Sequence, residues 1–478
     1  MNSKSRRPNV LILYTDQQRW DALGANGNRA ILTPHLDRLA AEGVSFVRHF
    51  VQNPVCMPSR VSFLSGQYPS ALKITHMGVP VPEDTETAAT LFGRAGYRCA
   101  NLGKLHFLPH ANRNHRDPHP KYDFDHLCIS DEPGCYEDAY HAWVSRVAPD
   151  QLDLISPGLP PARAVFHEVM GIADPVVHPE VGQRFDFKGA QPARCSAGVT
   201  HSAFVAEQTM EFMRRSRDET FFCIAGFYSP HAPWIVPQEY LNLYDPETLP
   251  LPKYPQSVND ARPRTEGPEC LYSDEQLRSA CHGYYAMVSE VDAQVGRILD
   301  CLKELDLEED TIVVFTSDHG EWLGDHLRFG KGAPGDDSIA RVPLLFRYPG
   351  VVDRPGRSEG GLVEAVDVLP TLLELAGIPV PGHLQGSSLA PGLTRSAAVG
   401  KNSVLMEADG WKTLRTDRYR YRVCADGSES LWDLAKDPGE YEDLANRADC
   451  LEVLAEMRRA LLEKIVAVER PLPRTWPY

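Results

Sequence analysis

No stretch of the 478 residues comes near the roughly 20 consecutive apolar residues that a membrane-spanning helix needs. The start, MNSKSRRPNVLILYTDQQ, joins a basic cluster to an apolar run. That run is only a handful of residues long, has no small-residue cleavage site and passes directly into Asp16. It reads as a first β-strand rather than a targeting segment. The 11 cysteines are odd in number and show no CxxC spacing. They read as thiols of a reducing compartment, by default the cytoplasm, rather than as a disulfide framework. Basic residues are in deficit: 49 Lys and Arg against 65 Asp and Glu leave a formal net charge of −16. That balance argues against nucleic acid or an anionic membrane as partner. Any anion bound here must be held by a local cationic pocket. Internal repeats and low-complexity tracts are missing as well.

What is there suffices for a large core, with 42% apolar residues in a chain longer than one core usually serves. Short β-rich runs without strict alternation are separated by helix-period segments: VLILYTD (10–16), TPHLDRLAAEGVSF (33–46), ETAATLFGRAGYRCANLGK (86–104), ETFFCIAGFYSPH (219–231), TIVVFTSDHGE (311–321) and VPLLFRYPG (342–350). A long helix is expected from Ser273 to Leu305. This is the pattern of an α/β fold with a large, mostly parallel sheet sandwiched by helices. From about residue 400 the texture changes to short alternating segments with Asp-Gly and Asp-Pro turns. A smaller C-terminal α+β unit with an antiparallel sheet, a helix and a tail is therefore placed at 386–478, after a catalytic unit at 1–385 and the Pro/Gly-rich link GIPVPGHLQG. The region 107–195, rich in His and Pro around HANRNHRDPHPKYDFDH, is the least regular and reads as a surface excursion or substrate-facing rim.

In open parallel sheets ligands bind at the carboxyl ends of the strands. Asp16, Lys104, His231 and Asp318 each fall just after an apolar run. Cys56 stands where a helix begins, with Pro58 in its first turn and Gly66 just past its end. A helix start favours an anion.

Cys56-Met57-Pro58-Ser59-Arg60 resembles the C-x-P-S-R signature of type I sulfatases, in the alkaline phosphatase superfamily. The resemblance extends in family order through VLILYTDQQRWDALG, GKLH (103–106), SPHAPW (229–234), TSDHGEWLGDH (316–326), GKGAP (330–334) and SLWDLAKDPGEYEDLA. It implies an arylsulfatase-like sulfuric ester hydrolase in which a maturation enzyme oxidises Cys56 to formylglycine. The hydrated aldehyde attacks sulfur with one hydroxyl and expels sulfate when the second is deprotonated, a release that neither serine nor an unmodified thiol offers. It further implies one divalent cation at Asp16, Gln17, Asp318, His319 and position 56, Ca²⁺ first, with Mn²⁺ or Mg²⁺ as alternatives. Many sulfatases carry a second Asp at the position of Gln17 and an Asn at that of His319, which weakens the assignment to Ca²⁺. By the same resemblance Arg60 orients the nucleophile, and Lys104 and Lys331 contact sulfate oxygens. His106 serves as base, and His231 meets the ester oxygen and, with Lys331, protonates the leaving group.

Formylglycine-dependent phosphonate monoester hydrolases share the C-x-P-x-R motif, the Gln and the His, so phosphonate or phosphodiester hydrolysis is the alternative. The Lys and His of GKLH favour sulfate. A non-catalytic binding protein with unmodified Cys56 is the outside alternative. The tail AVERPLPRTWPY reads by default as a frayed end, and its Trp476 and Tyr478 offer the other reading, an arm that packs on a neighbouring subunit of a homo-oligomer or rims its pocket. The alcohol half of the substrate (aryl, choline-like or sugar) is not encoded in any of these motifs.

Overall fold

The computed structural model describes residues 7–110, 113–158, 171, 176, 189–261, 273–395 and 397–469. Its centre is an eight-stranded sheet. In chain order the strands are β1 (Asn9–Thr15), β2 (Val44–Phe46), β3 (Arg98–Gly103), β4 (His126–Ile129), β5 (Phe221–Gly226), β6 (Thr311–Ser317), β7 (Leu344–Arg347) and β8 (Arg357–Glu359). Their order across the sheet is β8-β2-β7-β6-β1-β5-β3-β4. The five strands β6, β1, β5, β3 and β4 run parallel, with Leu11 opposite both Val313 and Cys223. The run VPLLFRYPG departs from that direction: β7 pairs antiparallel to β6.

Alternation along β1 divides the core. Val10, Ile12 and Tyr14 face one apolar layer with Ile224 and Val314. Leu11 and Leu13 face another with Ala225, Val313 and Phe315. Because both faces are buried, the strands read as continuous apolar runs instead of half-polar ones. Truncating Leu11 or Leu13 to alanine is expected to cost about 2–5 kcal/mol.

Helix α1 (Pro34–Ala41) packs on the second layer through Leu36 and Leu39. Two longer helices join it there: α4 (His201–Arg215) and α5 (Asp274–Glu304) supply Phe204, Val205, Val291 and Val295. The first layer receives α2 (Cys56–Ser65), through Val61, Phe63 and Leu64, and α3 (Ala88–Arg94), through Leu91 and Phe92. The α5 start is set by a capping box between Ser273 and Gln276.

Toward the C-terminus, β9 (Ser403–Ala408), β10 (Trp411–Thr416), β11 (Tyr419–Cys424) and β12 (Glu429–Asp433) form an antiparallel meander. It is closed by α6 (Leu451–Val468), whose Leu454, Met457 and Leu461 pack on Leu414, Tyr421 and Leu431. The meander grips the loop that follows β6. Thr413 Oγ1 donates to the Pro334 carbonyl at 2.8 Å, and Arg420 joins Glu440 at 2.7 Å and Asp337 at 2.5 Å. No helix of the described residues is long and apolar enough to cross a membrane. Ten cysteines fall among the described residues, none of them in a disulfide. From residue 470 on, the tail lies outside them.

Candidate active site

All ten residues of α2 are buried, so its polar side chains need partners within the protein. Ser59 Oγ donates to the Asp318 carbonyl at 2.5 Å. Arg60, 1% exposed, donates from Nε to Asp318 Oδ2 at 2.7 Å and from its terminal nitrogens to the carbonyls of Lys104 (3.1 Å) and Thr15 (3.4 Å). One guanidinium thus ties together the ends of β1, β3 and β6. Gly66 closes the helix with φ of 64°, a conformation that favours glycine.

Parallel strands deliver the other groups to the same edge. Asp16 follows β1, Asp318 and His319 follow β6, and Lys104 follows β3. Close backbone approach permits this: a Cβ at Gly103 would lie 2.1 Å from the Gly226 carbonyl, and one at Gly226 would lie 2.2 Å from that of Lys104. Cys56 begins α2, with Sγ 3.7 Å from both Asp16 carboxylate oxygens and 3.2 Å from His319 Nε2. Lys104 Nζ lies 2.5 Å from Asp16 Oδ2 and 4.7 Å from the centre of the Tyr228 ring. Lys331 Nζ reaches Cys56 Sγ (2.8 Å), His319 Nε2 (3.0 Å) and Gln17 Oε1 (3.1 Å).

One ligand atom from each of Asp16, Cys56, Asp318 and His319 lies within 4.8 Å of the other three, and among the described residues no second group of three or more His, Cys, Asp and Glu does so. The donor atoms fit a cation. A carbonyl can only accept, so the 2.8 Å contact of His319 Nδ1 with the Gly320 carbonyl puts the ring proton on Nδ1 and leaves the Nε2 lone pair facing Cys56 and Asp16. Gln17, held at φ of 70°, donates its own N–H to Asp318 Oδ1 at 3.0 Å and presents Oε1 inward.

Charges here are strongly perturbed. Burial would raise the Asp16 carboxyl, but Lys104, His231, Lys331 and His319 hold it well below its ordinary range. Burial would lower the two lysines, and the anionic groups around them raise both. Burial, with Lys331 adding to it, drops His319 to about 4. Burial and the Asp16 charge push the Cys56 thiol up to about 11 against the pull of Lys331 and Lys104.

Eight of the residues expected from the sequence are therefore in one contact network: Asp16, Gln17, Cys56, Arg60, Lys104, Asp318, His319 and Lys331. His106 and His231 flank it. His106 (φ 56°) is 2% exposed, stacks on His110 at 4.1 Å, and neither ring nitrogen has a hydrogen-bond partner. Burial, His110, Lys104 and Arg60 all hold it neutral. The His231 ring lies tilted against Tyr228, centroids 4.8 Å apart, and its Nδ1 donates to the Ala232 carbonyl at 2.5 Å. Burial and the neighbouring Lys331 keep it neutral too. Sequence reasoning missed Glu321, Tyr228 and Tyr284. Tyr284, from the middle of α5, donates to the Gln17 carbonyl at 2.8 Å. Glu321 alone carried a signal, standing three residues after Asp318 in TSDHGEWLGDH.

A helix-sandwiched, mostly parallel sheet gathers Asp16, Cys56, Asp318 and His319 beside Lys104 and Lys331 at one edge, and the comparisons name the family with this architecture. The sulfatase family model matches residues 8–378. The chain belongs to the sulfatase family and is a hydrolase of sulfuric esters, a type I sulfatase of the alkaline phosphatase superfamily. A second model, N-sulphoglucosamine sulphohydrolase, C-terminal, matches residues 324–467. An arylsulfatase of Clostridium perfringens (strain 13 / Type A) is 29% identical, with 96% of this chain and 94% of that protein aligned. The multifunctional alkaline phosphatase superfamily protein PehA of Trinickia caryophylli is 27% identical, with 92% and 91% aligned. The crystal structure of a phosphonate monoester hydrolase of Agrobacterium radiobacter superposes with a TM-score of 0.79 at 26% identity, covering 97% of this chain and 96% of that one.

Proposed function

We propose that the enzyme cleaves sulfate monoesters with a formylglycine made from Cys56 by a maturation enzyme, at a centre where Asp16, Gln17, Asp318 and His319 hold one divalent cation. The observation that carries this reading is the convergence of two carboxylates, the His319 imidazole and the Cys56 sulfur within 4.8 Å. A thiol is a soft donor, out of place beside carboxylate and amide oxygens that suit a hard ion. An oxygen at position 56 would complete the set. The oxygen-rich donors favour Ca²⁺, with Mn²⁺ and Mg²⁺ as alternatives. When bound, the cation lowers the pKa of the position-56 hydroxyl and polarises a sulfate oxygen.

The protein's own side chains do the rest. Arg60, committed to Asp318 and two strand-end carbonyls, fixes the position of α2 relative to the sheet and adds positive charge beside the nucleophile. Lys104 and Lys331 are the cations for the sulfate oxygens, and their raised affinity for the proton keeps them charged through the neutral range. His106, neutral and unpartnered, is suited to accept the proton whose loss releases sulfate. For the leaving oxygen, Lys331 already carries a proton. His231 has its proton on Nδ1, so Nε2 must first take one up on binding of the anionic ester.

Phosphonate monoester or diester hydrolysis is a second activity of the same centre in our reading, supported by the superposition on a phosphonate monoester hydrolase and by the similarity to PehA. Residues 1–385 and 386–478 are proposed as catalytic unit and C-terminal unit, the latter built on the meander and α6. A cytoplasmic location and a homo-oligomer formed through the tail remain part of the proposal on the sequence features given above.

The test is the mass of the tryptic peptide HFVQNPVCMPSR, His49 to Arg60, from protein made in its native cells. A thiol-to-aldehyde mass loss with hydrazide reactivity is expected. An intact thiol in a host that matures other sulfatases would overturn the nucleophile and move the binding-protein reading forward.

A further inference from the structure

Glu321 is 1% exposed and sits between two parts of the site that the sequence keeps far apart. Its Oε2 accepts from Gln17 Nε2. Its Oε1 accepts from the backbone N–H of Leu323 at 3.1 Å and from that of Gly330, the residue before Lys331. A carboxylate can only accept, so this contact dictates which end of the Gln17 amide faces it. The NH₂ group must point at Glu321, and the carbonyl oxygen must point at Lys331 Nζ, 3.1 Å away, among the donors of the cation centre. Without such a partner the two ends of a primary amide are nearly equal in shape, and half the orientations would turn an N–H toward the cation.

The same carboxylate holds the backbone that carries Lys331. The Trp322 N–H donates to the Gly330 carbonyl at 3.1 Å, and Trp322 Nε1 donates to Asp336 Oδ2 at 2.7 Å, so the turn from 322 to 336 closes around the contact. Gln17 itself has little freedom to compensate. Its N–H is taken by Asp318 Oδ1 and its carbonyl by Tyr284 Oη.

We propose that Glu321 is a positioning residue for the cation centre: its two oxygens fix the oxygen of Gln17 as the inward-facing donor and set the backbone from which Lys331 reaches Cys56. The inference rests on the reading of Gln17 as a cation ligand given above. It makes a specific claim about Glu321→Gln, which is nearly isosteric. The carbonyl oxygen of the new amide is needed by two backbone N–H groups, so its NH₂ turns to Gln17. Gln17 must then flip, presenting N–H groups to the cation. The reciprocal pair Gln17→Glu with Glu321→Gln restores the pattern. The carboxylate at 17 accepts from the amide at 321 with one oxygen and offers the other inward.

Ca²⁺ and Mn²⁺ binding to chelator-treated protein, followed by titration calorimetry, tests this without reference to turnover. Partners of metal ligands typically contribute about 10- to 100-fold in affinity. Glu321→Gln is expected to weaken binding by that factor, and the double variant to recover most of it. Glu321→Gln binding within about twofold of the wild type would overturn the inference while leaving the cation centre standing. A wild type that takes up neither ion would overturn the cation centre and the inference together. Should Glu321→Gln fail to fold, Glu321→Asp is compared with the wild type. It keeps the charge, but its shorter side chain cannot reach both Gln17 Nε2 and the Gly330 N–H, so it should weaken binding, and binding within about twofold of the wild type would overturn the inference.

Discussion

Lys331 Nζ stands 2.8 Å from Cys56 Sγ, and the atoms around it, His319 Nε2 and Gln17 Oε1, are donors that the proposed cation centre requires. A lone pair that accepts from an ammonium cannot bind a cation at the same time, so the ammonium and the divalent ion compete for this space. Two unit charges 4 Å apart interact by about 4 kcal/mol at an effective dielectric of about 20. Lys331→Ala is therefore expected to tighten Ca²⁺ binding by at least about tenfold. The same change removes a cation proposed for the sulfate oxygens and should lower kcat by about 10²- to 10³-fold. Calorimetry and steady-state kinetics on one preparation would measure both. Weaker cation binding in Lys331→Ala would contradict the competition.

A second prediction lies behind Tyr228. His201 opens α4, is buried, and donates from Nε2 to the Ser130 carbonyl at 3.2 Å. Burial lowers its pKa to about 3, against about 6.5 in an unfolded chain. The folded state therefore keeps the ring neutral while the unfolded state binds a proton as pH falls. Its contribution to stability is complete above pH 6.5 and is lost progressively as the pH drops toward 3. At pH 5 the loss is roughly 2 kcal/mol. Urea unfolding at pH 7 and pH 5 should show a smaller difference for His201→Gln than for the wild type by about that amount. An unchanged difference would refute the assignment.

The strands that carry the chemistry were legible because they are buried on both faces. VLILYTD, ETFFCIAGFYSPH and TIVVFTSDHGE became Asn9–Thr15, Phe221–Gly226 and Thr311–Ser317, and the long helix runs Asp274–Glu304. The direction of Leu344–Arg347 was not legible, since periodicity reports burial and says nothing of whether a neighbour runs parallel. Asp16, Cys56 and Asp318 were found through their motifs, because strand end and helix start are local features. Glu321 and Tyr284 were not: Glu321 lies inside TSDHGEWLGDH, yet a glutamate beside glycine reads as a solvated turn, and a tyrosine in a long amphipathic helix reads as core. Only the fold brings both to Gln17, 304 and 267 positions away in the chain.

Stability of the C-terminal unit should hinge on Glu364. Its carboxylate, fully buried, meets Lys401 Nζ at 2.5 Å, Lys464 Nζ of α6 at 3.0 Å, Tyr68 Oη at 2.7 Å and the Leu405 N–H at 2.9 Å. Burial would raise its pKa, yet Lys401 and Lys464 bring it down to about 2. Its stabilising contribution is thus present above about pH 4.5 and fades as pH falls through 2. Glu364→Gln takes the carboxylate partner from Lys464 and leaves Lys401 with Asp367 alone, 2.6 Å away, and is expected to cost about 3 kcal/mol. Hydrogen exchange should show the loss first as faster exchange in α6. Unchanged protection of α6 would mean that Leu454, Met457 and Leu461 anchor the helix alone.

The proposed preference for sulfate over phosphonate leads to a test at Lys104. A sulfate monoester offers three terminal oxygens, enough for the cation, Lys331 and Lys104 together. A phosphonate monoester offers two, with a carbon substituent in the third position that would leave a buried lysine facing an apolar group. Lys104 is 1% exposed, so an unmatched contact there is costly. Lys104→Ala should therefore lower kcat/KM for an aryl sulfate by about 10²- to 10³-fold while lowering that for the matching phosphonate monoester far less, or raising it. Because Lys104 also pairs with Asp16 at 2.5 Å, the variant leaves that carboxylate with one cation fewer, and divalent-ion binding should hold or tighten. Parallel losses on both substrates, with cation affinity reduced, would instead make Lys104 a support for Asp16 and remove the basis for preferring sulfate.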